Sequence, residues 1–66
     1  MALELTIDQA RMIARLRRRW PDADVRAHQR PWDVIVEVRR DGRTISLTAL
    51  DGEGGIERER SIPRAA

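Results

Sequence analysis

The first third of the chain has the hydrophobic spacing of an amphipathic helix. Thr6 and Gln9 form a capping-box pattern, in which the Thr6 hydroxyl accepts from the Gln9 amide and the Gln9 side chain reaches back to the Thr6 amide. The pattern predicts a helix over 7–19, which ends before Pro21 because proline disfavours helical geometry at the preceding residue. The residues expected on its apolar side are Gln9, Ala10, Met12, Ile13, Leu16 and Trp20.

Three later segments alternate between apolar and polar positions with the period of two that is typical of β-strands. They predict a weak strand over 25–29, a strong strand over 32–40 and a third strand over 43–50. The dipeptide Asp41-Gly42 joins the last two and favours a two-residue hairpin turn.

The two-residue turn predicts the register of this hairpin. Counting outward from Arg40 opposite Arg43 brings apolar residues of one strand opposite apolar residues of the next, and these are expected to face the helix. The expected pairs are Val38 with Ile45, Val36 with Leu47, and Val34 with Ala49.

The C-terminal quarter is rich in glycine and then in alternating charge. Residues 51–55 are expected to form a flexible loop, and 56–62 a short charged edge strand, with a loose tail as the alternative. Residues 63–66 are expected to fray. The prediction is one α+β domain over 1–66: two layers, with an N-terminal amphipathic helix packed on a three- or four-stranded antiparallel sheet in the order α-β-β-β(-β).

The composition limits how such a small domain is stabilised. Of the 66 residues, 41% are hydrophobic and none is cysteine, which excludes disulfides and thiolate zinc sites. A core of this size is marginal, so self-association is an expected source of stability. The sequence has no apolar stretch of membrane-spanning length and no basic-then-apolar signal pattern, so we expect a cytoplasmic protein without a membrane partner.

Catalytic chemistry has little support in the sequence. The single histidine, His28, is expected on the outer side of a weak strand. The glycines do not form a phosphate-binding loop, and Asp51-Gly52-Glu53 lacks the ligand spacing of an EF-hand. We therefore expect no enzyme activity, no cofactor, no metal and no small-molecule substrate.

Arginine is the only strong positive charge in the chain, with 13 arginines, no lysine and a formal net charge of +2. Lys, Asn, Phe and Tyr are all absent, and their codons are AT-rich, which favours a GC-rich bacterial genome in which arginine replaces lysine. Four arginines nevertheless lie on the outer side of the predicted helix, a candidate contact for nucleic acid or an acidic protein, with a solvated face as the alternative. These are Arg11, Arg15, Arg18 and Arg19, and Arg26 and Arg30 could extend the surface.

The second candidate surface is the sheet face that the helix leaves open. Its expected members are Ile35, Glu37, Arg39, Thr44, Ser46 and Thr48. Trp20 and Trp32 are expected to meet on the other side, between helix and sheet, with an exposed stacking platform for a base or a peptide as the alternative. The leading hypothesis is a small non-enzymatic bacterial interaction module that forms a homodimer through its sheet face or edge; the alternative is nucleic-acid binding through the helix arginines.

Overall fold

The protein is an N-terminal helix followed by a four-stranded antiparallel sheet. A computed structural model describes residues 4–61. The sheet order is β1-β2-β3-β4, so each strand pairs with the next one along the chain. This confirms the α+β class with the helix first and a fourth strand at the end. The elements are α1 (Ile7–Arg19), β1 (Asp24–Gln29), β2 (Val34–Arg40), β3 (Arg43–Leu50) and β4 (Ile56–Ser61).

The helix begins and ends where the sequence predicts. The Gln9 amide donates to the Thr6 hydroxyl at 3.1 Å, and the Thr6 amide donates to the Gln9 side-chain oxygen at 3.0 Å, so the capping box is confirmed. Asp8 lies in the first turn and three arginines lie in the last, which suits the helix dipole at both ends. The Trp20 amide donates to the Leu16 carbonyl and closes the final turn.

The core lies between one side of α1 and one face of the sheet. Ala10 is exposed, which corrects its expected place on the apolar side; it lies about 100° around the helix from Gln9, outside the contacting arc. Met12 and Trp20 are partly buried at the margin of the core. The buried apolar residues of the cluster are Ile13, Leu16, Val25, Val34, Val36, Val38 and Leu50.

A β-bulge in the central hairpin overturns the expected register. Thr44 pairs with Arg39 and Ser46 pairs with Val38, so Ile45 has no partner across the ladder. One extra residue in a strand turns every later side chain to the opposite face. The observed pairs are Val38 with Ser46, Val36 with Thr48, and Val34 with Leu50.

The bulge exchanges the two faces of β3 beyond Ile45. Thr48 is fully buried on the helix side, whereas the sequence predicts it on the open face. Leu50 is fully buried as well, although the expected register, with Ala49 facing the helix, sets the next residue on the open face. Leu47 and Ala49 take the open face, although the sequence placed them in the core. The bulge buries Leu50 in place of Ala49 at the end of the strand, which adds apolar area to the core, and buries Thr48 in place of Leu47 in its middle, which removes some.

The helix N-terminus rests on the loop between β3 and β4. The buried Gln9 amide group donates to the Asp51 carbonyl at 2.9 Å, and the Asp51 carboxylate accepts from the amides of Glu53 and Gly55. Gly54 has φ of +77° and lies directly against Asp8. The mobility expected of this loop stays a prediction, and the tail at 63–66 lies outside the described residues.

Trp32 lies outside the core, which corrects its expected place between helix and sheet. The Arg30 amide donates to the Asp33 carbonyl at 2.9 Å and closes a turn, so β2 starts only at Val34. The alternation of β2 therefore does not extend back to Trp32, whose surface is 69% exposed. Of the two tryptophans, only Trp20 packs at the helix–sheet margin.

The buried Thr48 hydroxyl gives a test of the bulged register. Its oxygen has no hydrogen-bond partner among the described residues, and an unpaired buried hydroxyl costs about 1–3 kcal/mol. Thr48→Val should therefore raise the free energy of unfolding by about 1 kcal/mol or more, measured by urea denaturation. Thr44→Val is the matched control and should not stabilise, because the Thr44 hydroxyl donates to Glu37 at 2.5 Å. An unchanged stability for Thr48→Val would contradict the burial of this hydroxyl.

Gly54 gives a test of the helix docking. A Cβ at this position would lie 2.6 Å from the Asp8 carbonyl oxygen, and the backbone has positive φ. We expect Gly54→Ala to lower the free energy of unfolding by about 2 kcal/mol or more. Gly52→Ala, where a Cβ would meet nothing within 4 Å, should change it by less than about 0.5 kcal/mol. Equal effects of the two substitutions would show that the loop does not hold the helix end.

Candidate functional site

The helix arginines form one exposed surface, as the sequence predicts. Arg11, Arg15, Arg18 and Arg19 are all exposed on α1, because Gln9, Ile13 and Leu16 turn the opposite side of the helix toward the sheet. We call Arg11, Arg15 and Arg18 the arginine row, since the spacing of four and three residues aligns them along one side of the helix.

The arginines differ in whether a carboxylate neutralises them. Within residues 4–61 the arginine row forms no ion pair, whereas Arg19 lies 3.8 Å from Glu59 of β4. Elsewhere, three arginines of the β1–β2 region have a carboxylate within 4.0 Å. These pairs are Arg26 with Asp24, Arg30 with Asp33, and Arg39 with Glu37.

The open face of the sheet differs from its expected composition at two positions. Ser46 and Thr48 are buried on the helix side because of the bulge, so they cannot belong to an outer contact surface. Leu47 and Ala49 replace them and lie beside Ile35 of β2. Leu47 and Ile35 are half-buried, and Ala49 is only 8% exposed at the bottom of this face. We call Ile35, Leu47 and Ala49 the apolar strip. The expected residues that remain on this face are Ile35, Glu37, Arg39 and Thr44.

The apolar strip forms the floor of a shallow depression of about 630 Å³. Arg58 and Arg60 of β4 border it on one side, since they pair with Ala49 and Leu47 across the ladder. The exposed ring of Trp32 borders it at one end. The depression therefore joins aliphatic, aromatic and guanidinium groups at one surface.

The Trp32 ring lies against the Arg30–Asp33 ion pair at this end of the depression. The Arg30 guanidinium lies over the Trp32 ring, 5.2 Å from its centroid, and also donates two hydrogen bonds to the buried Asp33 carboxylate. These bonds lower the pKa of Asp33 and raise the pKa of Arg30, with burial opposing both shifts. Arg30 thus connects a buried carboxylate to an exposed aromatic ring.

A polar cluster adjoins the strip at the hairpin end of the face. The Thr44 hydroxyl donates to the Glu37 carboxylate, and the His28 ring lies 3.1 Å from its other oxygen. The hydrogen bonds from Thr44 and then from His28 hold the pKa of Glu37 below its ordinary value, against the effect of burial. Sequence reasoning placed His28 on the outer side of β1 but gave no sign of its partner.

Among residues 4–61 no group of three or more His, Asp or Glu side chains is placed to hold a metal ion. In the same range, no helix combines the length and apolar character needed to cross a membrane.

Comparison with known proteins adds no relative: no protein-family model, curated protein or solved structure matches this chain.

The lowered pKa of Glu37 predicts an acid-dependent part of the stability. The folded state holds this proton less tightly than the unfolded chain, so the contribution is present above about pH 4.5 and is lost as the pH falls toward the lower folded-state value. Glu37→Gln should make the free energy of unfolding less dependent on pH between about pH 5 and pH 3, measured by urea denaturation at each pH.

Glu53→Gln is the control for this titration, because the Glu53 side chain forms no ion pair or hydrogen bond within the described residues. It should keep the acid sensitivity of the parent chain. If Glu37→Gln kept it as well, the hydrogen bonds to Glu37 would contribute nothing to folding.

Proposed function

We propose that this chain is a small non-enzymatic interaction module that forms a homodimer through the open face of its sheet. The observation that carries this proposal is the apolar strip, in which Ile35, Leu47 and Ala49 adjoin one another on the face away from the helix. The bulge favours this use of the face, because it replaces two hydroxyl residues with two aliphatic ones. Burying aliphatic area between two copies is favourable, and a core of this size gains from it.

The residues around the strip have the composition of a protein interface. Such interfaces are enriched in aromatic residues and arginine relative to the rest of the surface, and tryptophan and arginine often contribute most of the binding energy. Here Trp32, Arg58 and Arg60 border the strip directly. Trp32 loses little rotational freedom on association, since Arg30 already lies against its ring.

Charge supports one arrangement of the two copies. A two-fold axis running along β3, between the facing sheets, sets β4 of one copy against β2 of the other. Leu47 then meets its own counterpart, and Arg60 lies opposite Glu37 of the second copy, because both residues share a row of the sheet with Leu47. A two-fold axis across the strands would instead bring β4 of one copy onto β4 of the other. The Arg58 and Arg60 side chains of the two copies would then face and repel one another.

The β4 edge is a poorer surface for self-association than the open face. When two β4 strands pair antiparallel about a two-fold axis, one residue lies opposite its own counterpart in the second copy. Every other residue then lies opposite one whose sequence number differs from its own by an even number. Glu59 would then face Glu59 of the second copy, and Arg58 would face Arg60. Like charges directly opposite one another destabilise a strand pair, so the alternating charges of β4 discourage edge pairing.

The test is the oligomeric state of the parent chain and of Leu47→Glu, measured by size exclusion with light scattering and by sedimentation over a range of concentrations. The parent chain should have the mass of two chains. Leu47→Glu should be monomeric, because the two-fold axis brings the two introduced carboxylates together. Within its own sheet residue 47 lies opposite Arg60 on one side and Glu37 on the other, so the introduced carboxylate gains one favourable and one unfavourable neighbour. Far-ultraviolet circular dichroism and urea denaturation of the variant should show that it remains folded.

The matched control is Ile7→Glu, which also replaces an exposed aliphatic residue, 73% exposed on the helix layer, with a glutamate. It should remain dimeric. A parent chain that is monomeric at all concentrations overturns the proposal. Dissociation by both substitutions would show that the open face is not the interface.

A further inference from the structure

We infer that the arginine row binds the phosphate backbone of nucleic acid, on the side of the domain opposite the proposed dimer face. The main support for this inference is the uneven distribution of charge between α1 and the rest of the chain. Residues Ile7–Arg19 hold five arginines and one aspartate, a formal +4, whereas the whole chain is only +2. The remaining residues therefore sum to −2, and the positive charge of the protein is concentrated on α1.

Codon usage does not account for this distribution. A GC-rich genome replaces lysine with arginine throughout a chain, but it does not remove acidic residues from one helix. Ten of the 11 acidic residues lie outside α1.

The row is also unfavourable for the helix itself. Within the row, Arg11 and Arg15 are four residues apart and Arg15 and Arg18 are three apart, and like charges at these spacings destabilise a helix. Glutamate at position 15 would instead form favourable pairs with both neighbours. The helix thus keeps a charge arrangement that an anionic partner would stabilise.

The surroundings of the row favour phosphate over other anionic partners. An acidic protein surface would require an apolar centre to the interface, and a membrane surface would require apolar residues beside the arginines. Ile13 and Leu16, in the middle of the helix, are buried against the sheet. The large aliphatic side chain that α1 leaves exposed beside the row is Ile7, one turn before Arg11, which is too small an apolar area for either contact. The row itself spans about 10 Å along the helix axis, over which duplex DNA presents about six negative charges.

Guanidinium groups are suited to this contact, since each can donate two parallel hydrogen bonds to one phosphate. The exposed part of the row contains no aromatic ring for stacking on unpaired bases, which favours a double-stranded backbone over a single strand. The nearest aromatic residue, Trp20, is partly buried against the core and is covered by Arg19 and Arg40.

The test is the affinity for a short fluorescein-labelled DNA duplex, measured by anisotropy as a function of salt. Three phosphate contacts predict a slope of about −2.7 in log K against log salt, which is a loss of about 40-fold between 50 and 200 mM. Arg15→Ala should reduce the slope to about −1.8 and that loss to about 12-fold. Arg15→Glu should abolish detectable binding while folding at least as stably as the parent chain, since it introduces favourable pairs into the helix.

Arg26→Ala is the matched control: it removes the same charge, but from a guanidinium already hydrogen-bonded to Asp24 on the other face. It should keep the parent slope. The monomeric Leu47→Glu should also keep it, because each copy carries its own row.

Three results would overturn the inference. The first is no binding to the duplex at low salt. The second is an equal reduction of slope by Arg15→Ala and Arg26→Ala, which would reflect net charge and not the row. The third is binding to anionic phospholipid vesicles or to a polyglutamate peptide without binding to the duplex, which would assign the row to a membrane or to an acidic protein.

Discussion

One residue inserted without a partner, Ile45, determines where the side chains of β3 lie. The two-residue turn sets Arg40 opposite Arg43, and from that point a regular ladder would carry Ile45, Leu47 and Ala49 toward the helix. The bulge lets Ile45 pack at the margin of the core and turns the rest of the strand over. The core gains Leu50 and accepts the unpaired hydroxyl of Thr48, while the open face gains the aliphatic residues that support its use as an interface.

The orientation of the helix depends on a second contact, at its N-terminus. Gln9 closes the capping box and also holds the carbonyl of Asp51, so the same side chain caps the helix and ties it to the β3–β4 loop. The close approach of Gly54 to Asp8 fixes the helix end against that loop. With this side of the helix docked, the arginine row must face outward, and the two proposed surfaces lie on opposite layers of one small domain.

The parts of the fold that local chemistry determines could be predicted from the sequence. The helix boundaries follow from the capping box and from Pro21, and the Asp41-Gly42 turn follows from the preference of these residues for positive φ, which both adopt. The positions of the helix arginines could be predicted for the same reason, because a helix with one apolar side has only one side left to expose.

The parts that tertiary packing determines could not be predicted. An unbulged hairpin pairs apolar residues with one another equally well, so the pattern of β3 contains no local sign of the bulge. The only hint of the bulge is that the unbulged register would leave Leu50 on the open face and bury the smaller Ala49. The alternation of β2 continues in the sequence back to Trp32 and predicts this ring in the core, but the Arg30–Asp33 contact closes a turn there. The pairing of His28 with Glu37 requires a register that the sequence alone does not determine.

The most direct test of this account is the cross-strand register of β2 and β3 in solution, measured by nuclear Overhauser contacts between backbone protons. The bulged hairpin predicts contacts that join Val36 to Thr48 and Val34 to Leu50. Contacts that instead join Val36 to Leu47 and Val34 to Ala49 would contradict it, because the apolar strip would then lie beneath the helix and the open face would be largely polar.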